Sequence, residues 1–251
     1  MYSIKTENKR AWYVAGIKCG SQTMQSIFDN QLISKVSKAS KNFHATAAEH
    51  YASPAFNHFG DFLFTTIRNP YERHVSNYLY QREKFQEKIK YKDDIEAYRL
   101  RYPNSQIEDS TIYFDMVEDQ LKYYFNSFES YVDILERVNT PTLYKGEIES
   151  LYRYYGTSDE GRTAFNVGST RAFLSMSNNL ISNGTLHCLK IEDHDQIIDF
   201  FYRNFNMALT MIPKINSTGY GKDYEQYYTP ELIDKITRIE SPIIDIGNYK
   251  Y

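Results

Sequence analysis

The 251-residue chain has two cysteines, one tryptophan, 11 glycines and seven prolines. Two cysteines, Cys19 and Cys188, are too few for a disulfide framework, and neither sits in a C-x-x-C or Cys/His zinc pattern. The low Gly and Pro content excludes collagen-like and low-complexity chains. No apolar run reaches the roughly 18 residues of a membrane span. The stretch Met1 to Arg10 is polar and carries no apolar signal core. The N-x-[ST] sequons at Asn183 and Asn216 are therefore read as chance matches, and a soluble, cytoplasmic, reducing setting is expected. Excess positive charge is also missing: the formal net charge is −3, so no nucleic-acid partner is expected. No internal repeat or linker is visible, and residues 1–251 read as one domain.

What the chain has in abundance is tyrosine, 24 residues, with 15 phenylalanines. Tyrosine joins an apolar body to a hydroxyl that tolerates water, so a sugar-gripping surface is conceivable. The simpler reading spreads these rings over core and surface. Apolar patterning then sets the fold class. Trp12 to Ile17 reads as a buried strand, Lys18 to Ser21 as a tight loop, and Gln22 to Val36 as a helix with Met24, Ile27, Phe28, Leu32 and Val36 on one face. Phe62 to Ile67 is a second strand, and Pro70 opens a helix running to about Phe85. Leu186 to Ile191 is a third strand, followed by a helix from about Asp193 to Phe205. Thr229 and Pro230 read as N-cap and first residue of a last helix. Alternating strands and helices predict an α/β fold, a parallel sheet flanked by helices. Residues 86–170 read as a mostly helical insertion or cap, clearest from Ile112 to Phe125, on the acceptor side.

Two segments carry the chemistry. The first is Lys18-Cys19-Gly20-Ser21-Gln22-Thr23. A loop between a buried strand and a helix N-terminus presents unpaired N–H groups and the positive end of the helix dipole, which suits an anion. Gly20 permits close approach, Lys18 adds charge, and Ser21 and Thr23 add hydroxyl donors. The alternative is an ordinary turn with an exposed lysine. The second is Arg68-Asn69-Pro70-Tyr71-Glu72-Arg73-His74-Val75-Ser76. Arg68 ends a strand where open α/β sheets bind ligands, its guanidinium can hold a phosphate bidentately, and Ser76 adds a hydroxyl from the helix. The alternative is a helix start bearing a Glu–Arg surface pair. Two such sites together suit a ligand with two separated anionic groups.

The pair K-C-G-S-x-T and I-R-N-P-Y-E-R-x-x-S resembles the sulfotransferases that use 3′-phosphoadenosine 5′-phosphosulfate (PAPS), most of all carbohydrate sulfotransferases of the family 2 type and their bacterial relatives. Phe43 to Ala47 is similar to the family's H-x-T-A segment, Leu189 to Asp193 to its K-x-E-D strand, and Ile212 to Ser217 to its L-P-x-x-N-x-S region. Asp223 to Leu232 is similar to D-Y-x-x-Y-Y-T-P-E-L, and Asp245 to Tyr249 echoes its ending. The likeness covers roughly residues 10–85 and 170–251. Ile17 stands where a proline is usual and Gln22 where a hydroxyl residue is usual.

The resemblance implies a P-loop-like fold and sulfuryl transfer from PAPS to an acceptor hydroxyl, most readily on a carbohydrate, leaving 3′-phosphoadenosine 5′-phosphate (PAP) and requiring no metal. It assigns the 5′-phosphosulfate to Lys18, Cys19, Gly20, Ser21, Gln22 and Thr23, and the 3′-phosphate to Arg68 and Ser76. Asn216, Ser217 and Lys222 would close over the nucleotide. Lys18 would steady the transferring group and leaving oxygen, and His44 would be the general base, with Glu49 and His50 as alternatives. Glu192 would tie its strand end to a basic group, and Gln120 would face the acceptor. Two other readings stand beside this one. A nucleotide kinase or NTPase is disfavoured by the missing G-x-x-x-x-G-K-[ST] run. A non-catalytic nucleotide binder is motivated by Ile17 and Gln22.

Overall fold

A computed structural model describes residues 2–5, 10–16, 18–31, 36–38, 51, 53–103, 110–139, 181, 183–213 and 223–251. Five strands, β1 (Tyr2–Lys5), β2 (Arg10–Val14), β3 (Val36–Lys38), β4 (Asp61–Ile67) and β5 (Leu186–Lys190), form one sheet in the order β3-β1-β2-β4-β5. Among the described residues seven α-helices accompany it: α1 (Ser21–Gln31), α2 (Pro70–Ile89), α3 (Ile95–Arg101), α4 (Ser110–Asp119), α5 (Phe128–Asn139), α6 (His194–Phe205) and α7 (Pro230–Gly247). The molecule is α/β. Its sheet is mixed, however. β2, β4 and β5 run parallel, whereas β1 pairs antiparallel with both β2 and β3.

The antiparallel part corrects two expectations. The first ten residues read as polar, yet Tyr2, Ser3 and Ile4 are buried. Four residues are too short a run to show a period-2 pattern. The first helix was expected to reach Val36, but α1 ends at Gln31, and Val36 stands opposite Ile4 in β3. Apolar spacing carried Val36 into the helical phase. Pairing with β1 satisfies backbone groups that a bare sheet edge would leave open.

Side-chain alternation sends the two sheet faces to different helices. Ala11, Tyr13, Phe64 and Leu189 pack with Met24, Ile27 and Phe28 of α1 and with Ile197, Phe200 and Phe201 of α6. Trp12, Val14, Leu63 and Leu186 pack on the other face with Ile243 of α7. Side-chain caps mark five helix starts: Asn69, Asp94, Ser127, Asp193 and Thr229 each accept a backbone N–H of the first turn, worth about 1 kcal/mol apiece. Thr229 and Pro230 thus do what their sequence predicts.

α2 is the hub of a second core. Tyr71, Val75, Tyr78 and Phe85 pack against Val117, Phe125, Tyr131, Val132 and Ile236. Many of the tyrosines are spent here, as core rather than as a sugar-binding surface. Within the segment 86–170, the described residues are mostly helical. The expected helix from Ile112 to Phe125 is instead α4 followed by a π-helical turn, Gln120–Tyr124. Gln120 is wholly buried in that turn, so it does not face an acceptor.

Beneath these helices lies a buried polar network. Arg73 (1 % exposed) donates from Nη2 to Glu240 Oε1 of α7 at 2.6 Å. His74 Nε2 is 3.0 Å from the same oxygen, and its Nδ1 is 3.0 Å from the Tyr131 hydroxyl of α5. Asn77 Nδ2 donates to that hydroxyl at 2.9 Å. Burial, together with the nearby Arg73 charge, pushes the His74 pKa down to about 4. A neutral ring protonated on Nε2 donates to Glu240 and accepts from Tyr131, and it leaves Arg73 Nη2, 3.0 Å from Nε2, to bond Glu240 rather than the ring. The network fastens α2 to α5 and α7.

Candidate functional site

The carboxyl ends of β2 and β4 lie side by side, because the two strands are parallel neighbours with Val14 opposite Thr65. The chain leaving β2 turns sharply at Lys18, whose φ is +58°, and at Gly20, whose φ is +78°. A non-glycine residue in the left-handed region costs roughly 1–2 kcal/mol, a strain that gathers at functional turns. Gly20 is required twice over. A Cβ there would meet Ile191 Cδ1 at 2.5 Å, in addition to the backbone penalty. The Gly20 carbonyl accepts from Met24 N–H, so the loop runs directly into α1. The first turn of α1 holds no acidic residue of its own.

The structure brings Lys18, Cys19, Gly20, Ser21, Gln22 and Thr23 to the head of α1, and Arg68 to the end of β4 beside them. Cys19 and Thr23 are buried, Ser21 is half-buried and Gln22 is exposed. Ser76 is buried on α2, two turns beyond Arg68. Burial, with help from the nearby Arg68 charge, lowers the Lys18 pKa from 10.5 to about 8, while Glu83 acts in the opposite direction. The two cations are therefore close enough to feel one another. Lys18 Nζ rests on the ring of Tyr80, 3.5 Å from its centroid.

A Glu–Arg pair does form at the helix start, as the alternative reading of the motif expects, and its arginine is Arg68. Glu72 bonds Arg68 through a single nitrogen, Nη2, while Arg73 turns inward to Glu240. Among the described residues, Nε and Nη1 of Arg68 have no hydrogen-bond partner. Glu192 does tie its strand end down, but through an amide and a phenol rather than a basic group. It accepts from Asn69 N–H at 2.9 Å and from the Tyr249 hydroxyl at 3.1 Å. These contacts border a cleft of about 580 Å³ at the ends of β4 and β5, lined in part by Asn69, Glu72, Glu192, Asp193 and Tyr249. Cys19 is buried close to Arg73 and Glu240, so the loop sits over the polar network. Burial raises its thiol pKa, and both cysteines are free.

Ile17, His44, Glu49, His50, Asn216, Ser217 and Lys222 lie outside the described residues. Tyr80 and Glu83 were not singled out in sequence. The signal that could have found them is helical phase, since they follow Ser76 at i+4 and i+7 on α2. No helix among the described residues is long and apolar enough to cross a membrane. No family model, curated protein or solved structure matches the chain.

Proposed function

We propose that the chain binds PAPS as donor substrate on a P-loop-like scaffold and transfers its sulfuryl group to an acceptor hydroxyl, with a carbohydrate as the acceptor class. The observation that carries this reading is the pairing of the Lys18 loop with Arg68 at the ends of two adjacent parallel strands. Two neighbouring cations, Lys18 and the Glu72-paired Arg68, beside a helix N-terminus with no acidic residue in its first turn suit a ligand with two anionic groups.

In this reading the loop amides and Lys18 hold the phosphosulfate end, and Arg68 and Ser76 hold the 3′-phosphate. The acceptor oxygen forms its bond to sulfur as the sulfur–oxygen bond to the nucleotide phosphate breaks. The acceptor proton passes to a base, for which His44 is the choice by resemblance. Lys18 meets the charge that develops on the leaving oxygen, a role typically worth about 3–4 kcal/mol. PAP leaves. Both free cysteines suit a reducing, cytoplasmic setting.

The test is calorimetric titration with PAP and with 5′-AMP, without magnesium. PAP should bind more tightly, and Arg68→Ala should weaken PAP by about 10- to 100-fold, the loss of one charge-assisted contact. Equal affinity for the two nucleotides would remove the 3′-phosphate site and with it the proposal. His44→Ala should leave PAP affinity intact and abolish transfer. Binding of PAPS with no transfer to a broad acceptor panel would favour the non-catalytic reading.

A further inference from the structure

A lysine that must meet an anion cannot also be neutralised by its own protein. Arg68 shows the usual compromise, since Glu72 occupies one of its nitrogens. Lys18 is held differently. Its ammonium makes no ion pair among the described residues and lies against the face of Tyr80, 3.5 Å from the ring centroid. That distance is well inside the roughly 6 Å limit of a cation–π contact. The negative face of the ring attracts the charge without cancelling it, and the N–H groups directed away from the ring stay available. Tyr80 stands four residues after Ser76 on α2, so the helix that carries one candidate phosphate ligand also carries the seat for another. The seat has to hold a lysine whose backbone is already strained at φ +58°. Glu83, one turn further on, is exposed and acts on Lys18 only through space.

We propose that Tyr80 is the positioning residue for Lys18, seating the ammonium on its ring face so that the full charge stays directed at the bound donor. This rests on the donor-binding reading above. The ring does the work and the hydroxyl does not, which separates Tyr80→Phe from Tyr80→Leu. Tyr80 is 38 % exposed, so leucine should be accepted, and Tyr80→Gln repeats the test with a polar side chain of similar reach.

Two readouts keep the seat and the donor reading apart. The first is competitive labelling of Lys18 with an amine reagent across pH, read by peptide mass spectrometry, which needs no nucleotide. The labelling midpoint should lie near 8 in the parent and in Tyr80→Phe. It should fall by about half a pH unit in Tyr80→Leu and Tyr80→Gln, as the protonated form loses its ring partner. A midpoint that stays put or rises in both variants would mean that Tyr80 only covers Lys18, and would overturn the proposal. The second readout is PAP titration, where Tyr80→Phe should match the parent and Tyr80→Leu should bind about threefold or more weakly. Undiminished PAP affinity in Tyr80→Leu also overturns it. A parent protein with no preference for PAP over 5′-AMP would instead sink the donor reading, and the labelling shift would still judge the seat.

Discussion

Replacing Lys18 by methionine should stabilise the free protein while disabling its site. Lys18 keeps its charge at pH 7 although burial has lowered its pKa from 10.5 to about 8. At about 1.36 kcal/mol per pH unit, holding that charge costs the fold up to about 3 kcal/mol, trimmed by solvent at this half-buried position. Methionine fills similar space without charge and keeps the backbone turn. It forfeits the contact with Tyr80, worth about 0.5–2 kcal/mol. The net expectation is a gain of about 1–2 kcal/mol, or several degrees in Tm for a chain of this size. The pH dependence carries the sharper signature. An unfolded lysine keeps its proton until about 10.5, whereas folded Lys18 loses it near 8. Between these values the unfolded state binds more protons, so raising the pH favours the parent fold. The advantage of Lys18→Met should be full below pH 8 and fade by about pH 10. Thermal unfolding of both proteins at pH 7, 8.5 and 10 measures this, and PAP titration should show a loss of about 10- to 100-fold. A variant less stable at pH 7, or an advantage that ignores pH, would refute the reasoning.

Three further outcomes are expected. Gly20→Ala should cost about 1–3 kcal/mol in urea unfolding, combining backbone strain with the clash against Ile191, whereas Gly184→Ala, at φ +74° with no atom within 4 Å, should cost about 1 kcal/mol; equal costs would show that the Ile191 contact is unimportant. Glu240→Gln should destabilise by about 3–5 kcal/mol in urea unfolding because it strands the Arg73 charge in the core, and a loss below about 1 kcal/mol would show that the pair is dispensable. His74 takes a proton near 6.5 when unfolded but only near 4 when folded, so the unfolded state binds more protons in that interval and stability falls as pH drops through it. The loss should reach about 3 kcal/mol by pH 4 and be absent from His74→Gln; parallel pH profiles for the two proteins would contradict the buried neutral ring.

Much of this molecule is legible one residue at a time. The three parallel strands, the caps at Asn69, Asp193 and Thr229, and the loop at Gly20 follow from local rules: runs of apolar residues, side chains that bond their own helix ends, and a turn that needs φ above zero. Both halves of the candidate site were visible as motifs for the same reason, since each half is local. Their adjacency was expected from the strand order of an open α/β sheet rather than from any local rule. It depends on β2 and β4 pairing in register across some fifty residues, a contact whose partners no local pattern names. Nor could sequence choose which carboxylate meets which arginine. Glu72 and Arg73 are neighbours in the chain, yet Glu72 turns to Arg68 and Arg73 is buried against Glu240, because successive helical residues point some 100° apart. The same holds for β1 and β3, whose short strands exist because the sheet offers them an edge. Local chemistry determined what each segment could be, and only burial and long-range pairing decided which charges would share a site and which would be locked in the core.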